Sequence, residues 1–186
     1  MDVKLSVVLA TFNEEKNIRP CLESVGNIAS EIIIVDGSST DKTRDIAKGF
    51  GARVIKTTNP PIFHINKQKA LEAATREWIL QLDADERVTQ ELAQEIAKVI
   101  NMSGSEIEEY QNKLHEIRLF SRHQNLLEER DGKIGKDKGE YAGFFVPRLN
   151  YFLGKFLRFG GVYPDGVIRL AKNGKAWFPS KSVHEQ

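Results

Sequence analysis

The segment Trp78–Arg87 (WILQLDADER) constrains the fold of this 186-residue chain more than any other stretch. Its apolar run is short and bounded by polar residues, which favours a strand buried on both faces of a parallel sheet. Asp83 and Asp85 follow at the carboxyl end of that strand, where open α/β sheets bind their ligands. Aspartates after a strand also serve as turn formers or helix caps, so these two acids alone do not define a site.

Composition excludes several classes of protein. The net charge of +1 gives no electrostatic reason to expect a nucleic-acid partner. The single cysteine, Cys21, excludes an internal disulfide, and we expect it on the buried face of a helix. We expect no signal peptide and no apolar stretch of the ~20 residues that span a bilayer, which together predict a cytoplasmic protein.

Strand-like and helix-like segments alternate along the first hundred residues. This order predicts a three-layer α/β fold with a mostly parallel, right-handed central sheet. The helix after the first strand is indicated by apolar residues at helical spacing, and the next by Thr40 as its N-cap and Gly51 at its end. The predicted strands are Leu5–Ala10, Glu31–Val35, Arg53–Lys56 and the run into Asp83, and the later predicted helices are Asp41–Phe50 and Asn66–Thr75.

Three of these strands end in polar or acidic clusters, namely Thr11–Glu14, Asp36–Ser38 and Asp83–Asp85. Carboxyl ends of parallel strands lie along one edge of a sheet, so we expect the clusters to converge. The alternative is that all of them are ordinary loop residues, because Asp, Gly, Ser and Asn are common in turns.

The second half of the chain is less regular. We expect a helix over Gln90–Ile100, a capping box at Ser105–Glu108 and a second helix reaching about Glu129. The charged stretch Glu128–Glu140 is typical of a solvated loop. The remaining predictions are a strand at Tyr141–Pro147, and short strands at Val167–Ala171 and Ala176–Phe178 joined by a turn.

Aromatic and cationic residues alternate over Asn150–Phe159 at what resembles helical spacing. One interpretation is a helix with an apolar core face and solvated cations. The alternative is a patch that lies against an anionic membrane surface.

The stretches SVVLATFNEE, EIIIVDGSSTDKT, KQKALEAA and WILQLDADE, within residues 4–90, resemble family 2 glycosyltransferases of the GT-A fold. The stretch from FFVPRLNYF to KSVHE resembles the lipopolysaccharide-core β-1,4-glucosyltransferase-like subgroup. The resemblance implies one GT-A domain over residues 1–186. In it, a nucleotide-sugar-binding half (about 1–101) and an acceptor half (about 141–186) flank a helical, charged insertion (103–140). Members of the subgroup usually continue past this point, so we expect either a truncated acceptor half or a minimal version of such a protein.

The resemblance implies an inverting, metal-dependent transfer from a UDP-sugar to a saccharide or lipid-linked acceptor in cell-envelope glycan synthesis. A hard cation, Mg²⁺ or Mn²⁺, suits the charge that develops on the diphosphate leaving group. By resemblance, Asp85 is the metal ligand, with His184 as a further candidate, and Asp83 faces the ribose or donor sugar. The residues expected to line the nucleoside or reach a phosphate are Thr11, Asn13, Glu14, Asp36, Lys67 and Lys69; either lysine could instead lie on a solvated helix face.

The acceptor hydroxyl in such a reaction needs a carboxylate to take its proton. The resemblance implies that Asp165 has this role, with Glu185 as the second candidate. We expect Arg169 either to hold Asp165 in place or to face the leaving group. A turn aspartate in Pro-Asp-Gly is the alternative for Asp165.

Two other functions remain open at this point. A sugar-phosphate nucleotidyltransferase would carry a glycine- and arginine-rich loop after its first strand, whereas this loop is TFNEEKN. An inactive nucleotide-sugar-binding or partner module would use the same scaffold without turnover. Peripheral contact with the inner membrane face is a further expectation.

Overall fold

The structure is a computed structural model that describes residues 4–114, 117–131, 141–160 and 162–178. The chain divides into two compact units, one formed by Met1–Ile100 with Leu170–Gln186 and the other by Asn101–Arg169. The single-domain organisation implied by the resemblance stays a prediction.

The first unit alternates strands and helices as the sequence pattern predicts. Its elements are β1 (Leu5–Thr11), α1 (Ile18–Val25), β2 (Glu31–Asp36), α2 (Thr43–Gly49), β3 (Arg53–Lys56), α3 (His64–Glu72), β4 (Trp78–Leu82) and α4 (Gln90–Val99).

The second unit contains α5 (Gly104–Asn112), α6 (Ile117–Asp131), β5 (Gly143–Arg148), β6 (Tyr151–Phe152) and β7 (Lys155–Phe156). The last strand, β8 (Asp165–Lys172), begins in the second unit and ends in the first. Within the second unit β5 is the neighbour of β8, and β6 and β7 form a separate antiparallel hairpin.

The sheet of the first unit has the order β3-β2-β1-β4, with all neighbours parallel, and the end of β8 pairs antiparallel with β4. Leu5, Val7, Val8 and Leu9 of β1 have no exposed surface, and all five residues of β4 are buried. Strands buried on both faces explain the continuous apolar runs in the sequence. The predicted α/β fold with a mostly parallel central sheet is confirmed.

The register of the sheet brings the ends of three strands to one edge. Thr11 lies opposite Asp36 in the β1–β2 pair, and Leu9 lies opposite Leu82 in the β1–β4 pair. The loops that follow β1, β2 and β4 therefore leave the sheet side by side, as expected from the parallel order.

Helix α1 buries Ile18, Cys21, Leu22 and Val25, which are the residues whose spacing predicts it. The predicted cap of α2 is wrong, because this helix begins at Thr43 and Thr40 donates its backbone N–H to the Asn13 side chain instead. Gly51 does follow α2, in the left-handed region at φ +74°.

The predicted capping box at Ser105 is also wrong. Ser103 is the N-cap of α5, and its hydroxyl and backbone N–H exchange hydrogen bonds with Glu106. The expected continuous helix to about Glu129 is interrupted between α5, which ends at Asn112, and α6, which begins at Ile117.

Residues 150–159 do not form a helix. They contain the β6–β7 hairpin, so the helical interpretation of this stretch is wrong. Residues 176–178 lie outside any strand, so the predicted strand at Ala176–Phe178 is wrong. Within the described residues, no helix combines the length and apolar character that crossing a bilayer requires.

Candidate functional site

A cleft of about 330 Å³ lies at the carboxyl edge of the parallel sheet in the first unit. Its walls come from the loop after β1, the start of α3 and the loop after β4. The predicted site residues that line it are Thr11, Glu14, Lys67, Asp83 and Asp85, and the lining residues that sequence reasoning did not single out include Phe12, Asn17, Asn59, Phe63 and Asn66.

The loops after β1 and β2 are joined by hydrogen bonds in both directions. The backbone N–H groups of Asn13, Glu14 and Glu15 donate to side-chain oxygens of the loop after β2 and of the first residue of α2, at 2.8, 2.7 and 3.0 Å. The acceptors are Ser39, Thr43 and Asp41, respectively. Much of the polar content of TFNEE and DGSSTDKT therefore serves to fix one wall of the cleft.

Asn13 completes this connection from an unusual backbone conformation. Its φ of +56° lies in the left-handed region, which asparagine tolerates better than most residues. The Asn13 side-chain oxygen accepts the Thr40 backbone N–H at 2.8 Å. Direct contact of Asn13 with a nucleoside stays a prediction.

Asp36 is completely buried at the end of β2. Its carboxylate accepts hydrogen bonds from the hydroxyls of Thr11 (3.1 Å) and Ser39 (2.5 Å), and the Arg44 guanidinium lies 3.5 Å away. A hydrogen bond from a nucleobase to this carboxylate would require these contacts to rearrange. The base-binding role of Asp36 stays a prediction, and its present contacts hold the two loops together.

Lys67 and Asp83 form an ion pair at the cleft, with 2.5 Å between the ammonium nitrogen and a carboxylate oxygen. The Lys67 side chain is only 10% exposed, and its ammonium lies 4.9 Å from the ring centre of Phe63 and 5.7 Å from that of Phe178. These contacts hold the cation at the cleft wall, so Lys67 is not a solvated lysine. Lys69, by contrast, is bonded to the Thr57 hydroxyl at an exposed position.

Asp85 is exposed at the cleft, and no hydrogen bond or ion pair to another described residue involves its carboxylate. The loop that carries it is held by Glu86, which accepts the Asp83 backbone N–H, and by Arg87, which donates to the Ala84 carbonyl. The carboxylate of Asp85 is thus presented on a fixed loop.

A divalent cation fits this arrangement through Asp85 alone, because Asp83 is already engaged by Lys67. The described residues contain no group of three or more His, Cys, Asp or Glu side chains that could hold a metal ion. Mg²⁺ usually keeps several waters and is bound by one or two carboxylates together with substrate phosphates. One available carboxylate is therefore compatible with a metal that arrives with a diphosphate.

Gly37 allows the loop after β2 to approach the wall residue Asn59. A Cβ atom at position 37 would lie 3.0 Å from the Asn59 Cβ and 3.3 Å from its Cα, closer than ordinary contacts. Glycine after Asp36 is explained by this close approach.

Asn66 is almost completely buried at the start of α3, and its amide nitrogen donates to the Thr58 carbonyl at 2.9 Å. This bond ties α3 to the loop that precedes it. The alternation of apolar and polar residues in the sequence does not reveal such a role, which depends on a backbone carbonyl eight residues away.

Cys21 packs behind the loop after β4, with its sulfur 3.7 Å from the Asp83 carbonyl oxygen. Burial raises the pKa of the Cys21 thiol to about 12. The thiol is therefore neutral near pH 7, and the expected buried position is confirmed.

Asp165 lies in the second unit, at the start of β8. Its Oδ2 atom accepts hydrogen bonds from Arg148 at 2.6 Å and from Asn150 at 3.2 Å. The Gly166 backbone N–H donates to Nε2 of His123 at 3.2 Å, so α6 fixes the chain next to Asp165. Asp165 begins a strand and is not simply a turn residue. His184 and Glu185 lie outside the described residues.

The sequence was compared with known protein families and curated proteins. A family model described as Glycosyl transferase family 2 matches residues 6–158. An uncharacterized glycosyltransferase of Rickettsia typhi is 42% identical over 94 residues, which are 50% of this chain and 32% of that protein. One of Rickettsia bellii is 34% identical over 123 residues, which are 66% of this chain and 40% of that protein.

Two solved structures also resemble parts of this chain. S. aureus TarS 1–349 is 29% identical, with a TM-score of 0.49, and the match covers 53% of this chain and 32% of that chain. Glucosyl-3-phosphoglycerate synthase from Mycobacterium tuberculosis, in complex with Mn²⁺, UDP and glucosyl-3-phosphoglycerate, is 26% identical. Its TM-score is 0.40, and the match covers 45% of this chain and 35% of that chain.

The matches to the two Rickettsia proteins span 32% and 40% of their lengths. The family model, in contrast, covers most of this chain, from the first residues of β1 to the residues just after the β6–β7 hairpin. The chain therefore belongs to glycosyl transferase family 2.

Proposed function

We propose that this chain binds a UDP-sugar in the cleft and transfers the sugar, with inversion, to a hydroxyl group of a saccharide or lipid-linked acceptor. The observation that carries the proposal is the meeting of a buried cation and an available carboxylate, Lys67 and Asp85, at the carboxyl edge of the sheet. Family membership supports the same reaction class.

The leaving group of this reaction is a nucleoside diphosphate, whose charge must be stabilised as the bond to the sugar breaks. Lys67 is positioned to contribute a positive charge, since its ammonium faces Asp83 at the cleft wall. Asp85 would hold Mg²⁺ or Mn²⁺, which when bound supplies further charge neutralisation for the diphosphate. Asp83 then serves to orient Lys67 and, by the resemblance, to face the ribose or donor sugar.

Asp165 is proposed as the general base. The acceptor oxygen forms a bond to the anomeric carbon, the bond from that carbon to the diphosphate breaks, and the acceptor proton passes to the carboxylate. Arg148 and Asn150 both bind Oδ2, which leaves Oδ1 as the oxygen for the proton. Glu185 remains the second candidate for this role.

The acceptor is proposed to belong to cell-envelope glycan synthesis, at the inner membrane face. The support is the resemblance of the second half to the lipopolysaccharide-core β-1,4-glucosyltransferase-like subgroup. Family membership disfavours the nucleotidyltransferase alternative. A module that binds the nucleotide sugar without turnover would show donor binding and no transfer.

The function is tested by isothermal titration calorimetry of the full chain with UDP, with and without Mn²⁺. Metal contacts with phosphoryl oxygens contribute several kcal/mol, so we expect Asp85→Asn to weaken Mn²⁺-dependent UDP binding about 100-fold. Glu23→Gln, which changes an exposed carboxylate on α1, is the matched control and should bind as the parent chain does.

Equal Mn²⁺-dependent affinity in the parent chain and in Asp85→Asn would remove Asp85 from the metal-binding role. No UDP binding by the parent chain, with or without Mn²⁺, would contradict the assignment of the cleft. Incubation with a panel of UDP-, GDP-, CMP- and dTDP-sugars, followed by detection of the released nucleotide, tests the choice of donor.

A further inference from the structure

The β6–β7 hairpin of the second unit is tightly closed. Leu153 and Gly154 connect the strands with φ angles of +46° and +80°, as in a two-residue type I′ turn. Tyr151 and Phe156 face each other across the strands, with ring centres 5.1 Å apart. The Leu157 backbone N–H closes the base of the hairpin on the Asn150 carbonyl at 2.8 Å. We call residues 150–159 the aromatic hairpin.

This hairpin exposes an unusual amount of apolar surface. Nine large apolar side chains are exposed in the part of the chain that the structure describes, and five of them lie in the hairpin. Exposed apolar side chains concentrated in one short segment, and not scattered singly over the surface, favour an interaction site. The five side chains and their exposed fractions are Tyr151 (64%), Phe152 (62%), Leu153 (86%), Phe156 (58%) and Phe159 (89%).

The residue at the tip gives a second indication. Leu153 occupies a left-handed position that Asn, Asp or Gly favours in this turn type, and its side chain is almost fully in water. Leucine is therefore unfavourable there for the backbone and for hydration alike. The hydration cost is removed when the tip enters an apolar environment.

The charge of the hairpin identifies the kind of environment. Residues 150–159 contain Lys155 and Arg158, both exposed, and no acidic residue. Aromatic rings and leucine suit the boundary between lipid headgroups and acyl chains, while lysine and arginine are attracted to anionic headgroups. A neutral or basic surface would not complement these cations.

We propose that the aromatic hairpin is a membrane-contact element that inserts its tip into the interface of an anionic lipid bilayer. The inference names the surface that would bring the chain to a lipid-linked acceptor, and to that extent it rests on the proposed function. Asn150 at the base of the hairpin donates to Oδ2 of Asp165, the proposed base. A hairpin held at the bilayer would thus keep Asp165 near the headgroup layer.

The test is co-sedimentation of the full chain with vesicles of phosphatidylcholine alone and of phosphatidylcholine mixed with phosphatidylglycerol. We expect binding to the anionic vesicles only, and weaker binding as salt is raised. Lys155→Gln combined with Arg158→Gln should weaken it about 30-fold, because each cation near the surface contributes separately.

Leu153→Asn is the sharper variant, since asparagine favours the turn and lacks the apolar tip. It should preserve or raise the melting temperature and weaken vesicle binding about tenfold. Leu126→Gln, which changes an exposed leucine on α6, is the matched control and should bind vesicles as the parent chain does.

The proposal is overturned if the parent chain does not bind anionic vesicles. It is also overturned if Leu153→Asn binds them with the same affinity as the parent chain. Sedimentation velocity without lipid tests whether the hairpin instead binds a second copy of the chain. A parent chain that is dimeric, with Leu153→Asn monomeric, would show that it does and would overturn the membrane proposal. UDP binding is measured separately on each variant, so failure of the membrane contact is distinguished from failure of the nucleotide site.

Discussion

The acids after β4 differ in what surrounds them. Asp83 is paired with a nearly buried lysine, whereas Asp85 extends into the cleft without a partner among the described residues. The pattern D-x-D makes the two look equivalent, and only the position of Lys67 separates them. This difference supports the proposal that Asp85 holds the metal while Asp83 orients Lys67.

The Lys67–Asp83 pair can be tested through stability. Lys67→Met removes the ammonium that lies 2.5 Å from a carboxylate with 32% of its side chain exposed. We expect the free energy of unfolding to fall by about 1–2 kcal/mol, between the values for exposed and buried pairs. The measurement is urea denaturation followed by circular dichroism.

The double variant Lys67→Met with Asp83→Asn is the control for this prediction. Removing the carboxylate as well should recover part of the lost stability, because no uncompensated charge remains at the cleft wall. A double variant that loses the sum of the two single effects would show that the residues act independently.

At the scale of elements, Glu31 joins three segments at the edge of the sheet opposite the cleft. One of its carboxylate oxygens accepts hydrogen bonds from the Ser6 hydroxyl of β1 and from the backbone and hydroxyl of Thr75, which precedes β4. Burial raises the pKa of Glu31, but these hydrogen bonds lower it by more, and the result lies below the ordinary value of 4.5.

A lowered pKa in the folded state means that the ionised Glu31 stabilises the fold. This contribution is complete above pH 4.5 and is lost as the pH falls through the folded-state pKa. We expect Glu31→Gln to cost about 1 kcal/mol at neutral pH and to flatten the fall in stability below pH 4.5.

The measurement is denaturant unfolding of both proteins at a series of pH values from neutral to acid. Glu23→Gln controls for the loss of one carboxylate elsewhere on the surface. An acid-side slope that is the same in Glu31→Gln and in the parent chain would contradict the assignment.

Elements were predictable from the sequence where burial alone determines them. Burial in the core leaves a pattern in the nearby sequence, which is a continuous apolar run in β1, β2 and β4 and a helical spacing of apolar residues in α1. Caps and turns were less predictable, because they also depend on distant residues. Thr40, the predicted N-cap, instead donates its backbone N–H to the side chain of Asn13, 27 residues away. The aromatic hairpin was missed because its tip has leucine where a turn signature has asparagine.

At the scale of the whole molecule, the proposed binding and transfer residues belong to different compact units, Asp85 to the first and Asp165 to the second. The roles can therefore be separated by measurement. Asp165→Asn should leave UDP affinity unchanged and lower the transfer rate about 100-fold or more, since a general base contributes at least that much.

This prediction is checked by calorimetry with UDP and by a sugar-transfer assay on the same preparation. Asn150→Ala, which removes one hydrogen bond to the carboxylate and retains the acid, should lower the transfer rate by a smaller factor. Full transfer activity in Asp165→Asn would assign the base to Glu185 or to another residue.

The fold class, the family and the convergence of the strand ends could all be read from the order of the sequence motifs. The chemical environment of each acid could not, because the partners of Asp36, Asp83 and Asp165 lie up to 25 positions away. Motif spacing identifies which loops meet, and tertiary contacts decide which side chains remain available to a ligand.

The hydrogen bonds that join residues 13–15 to residues 39–43 set a limit on how this protein can be redesigned. Insertions, deletions or substitutions in either segment would destabilise both, because each segment supplies the hydrogen-bond partners of the other. Sequence changes meant to alter the cleft are therefore better confined to lining residues outside these two segments, so that the pair stays intact.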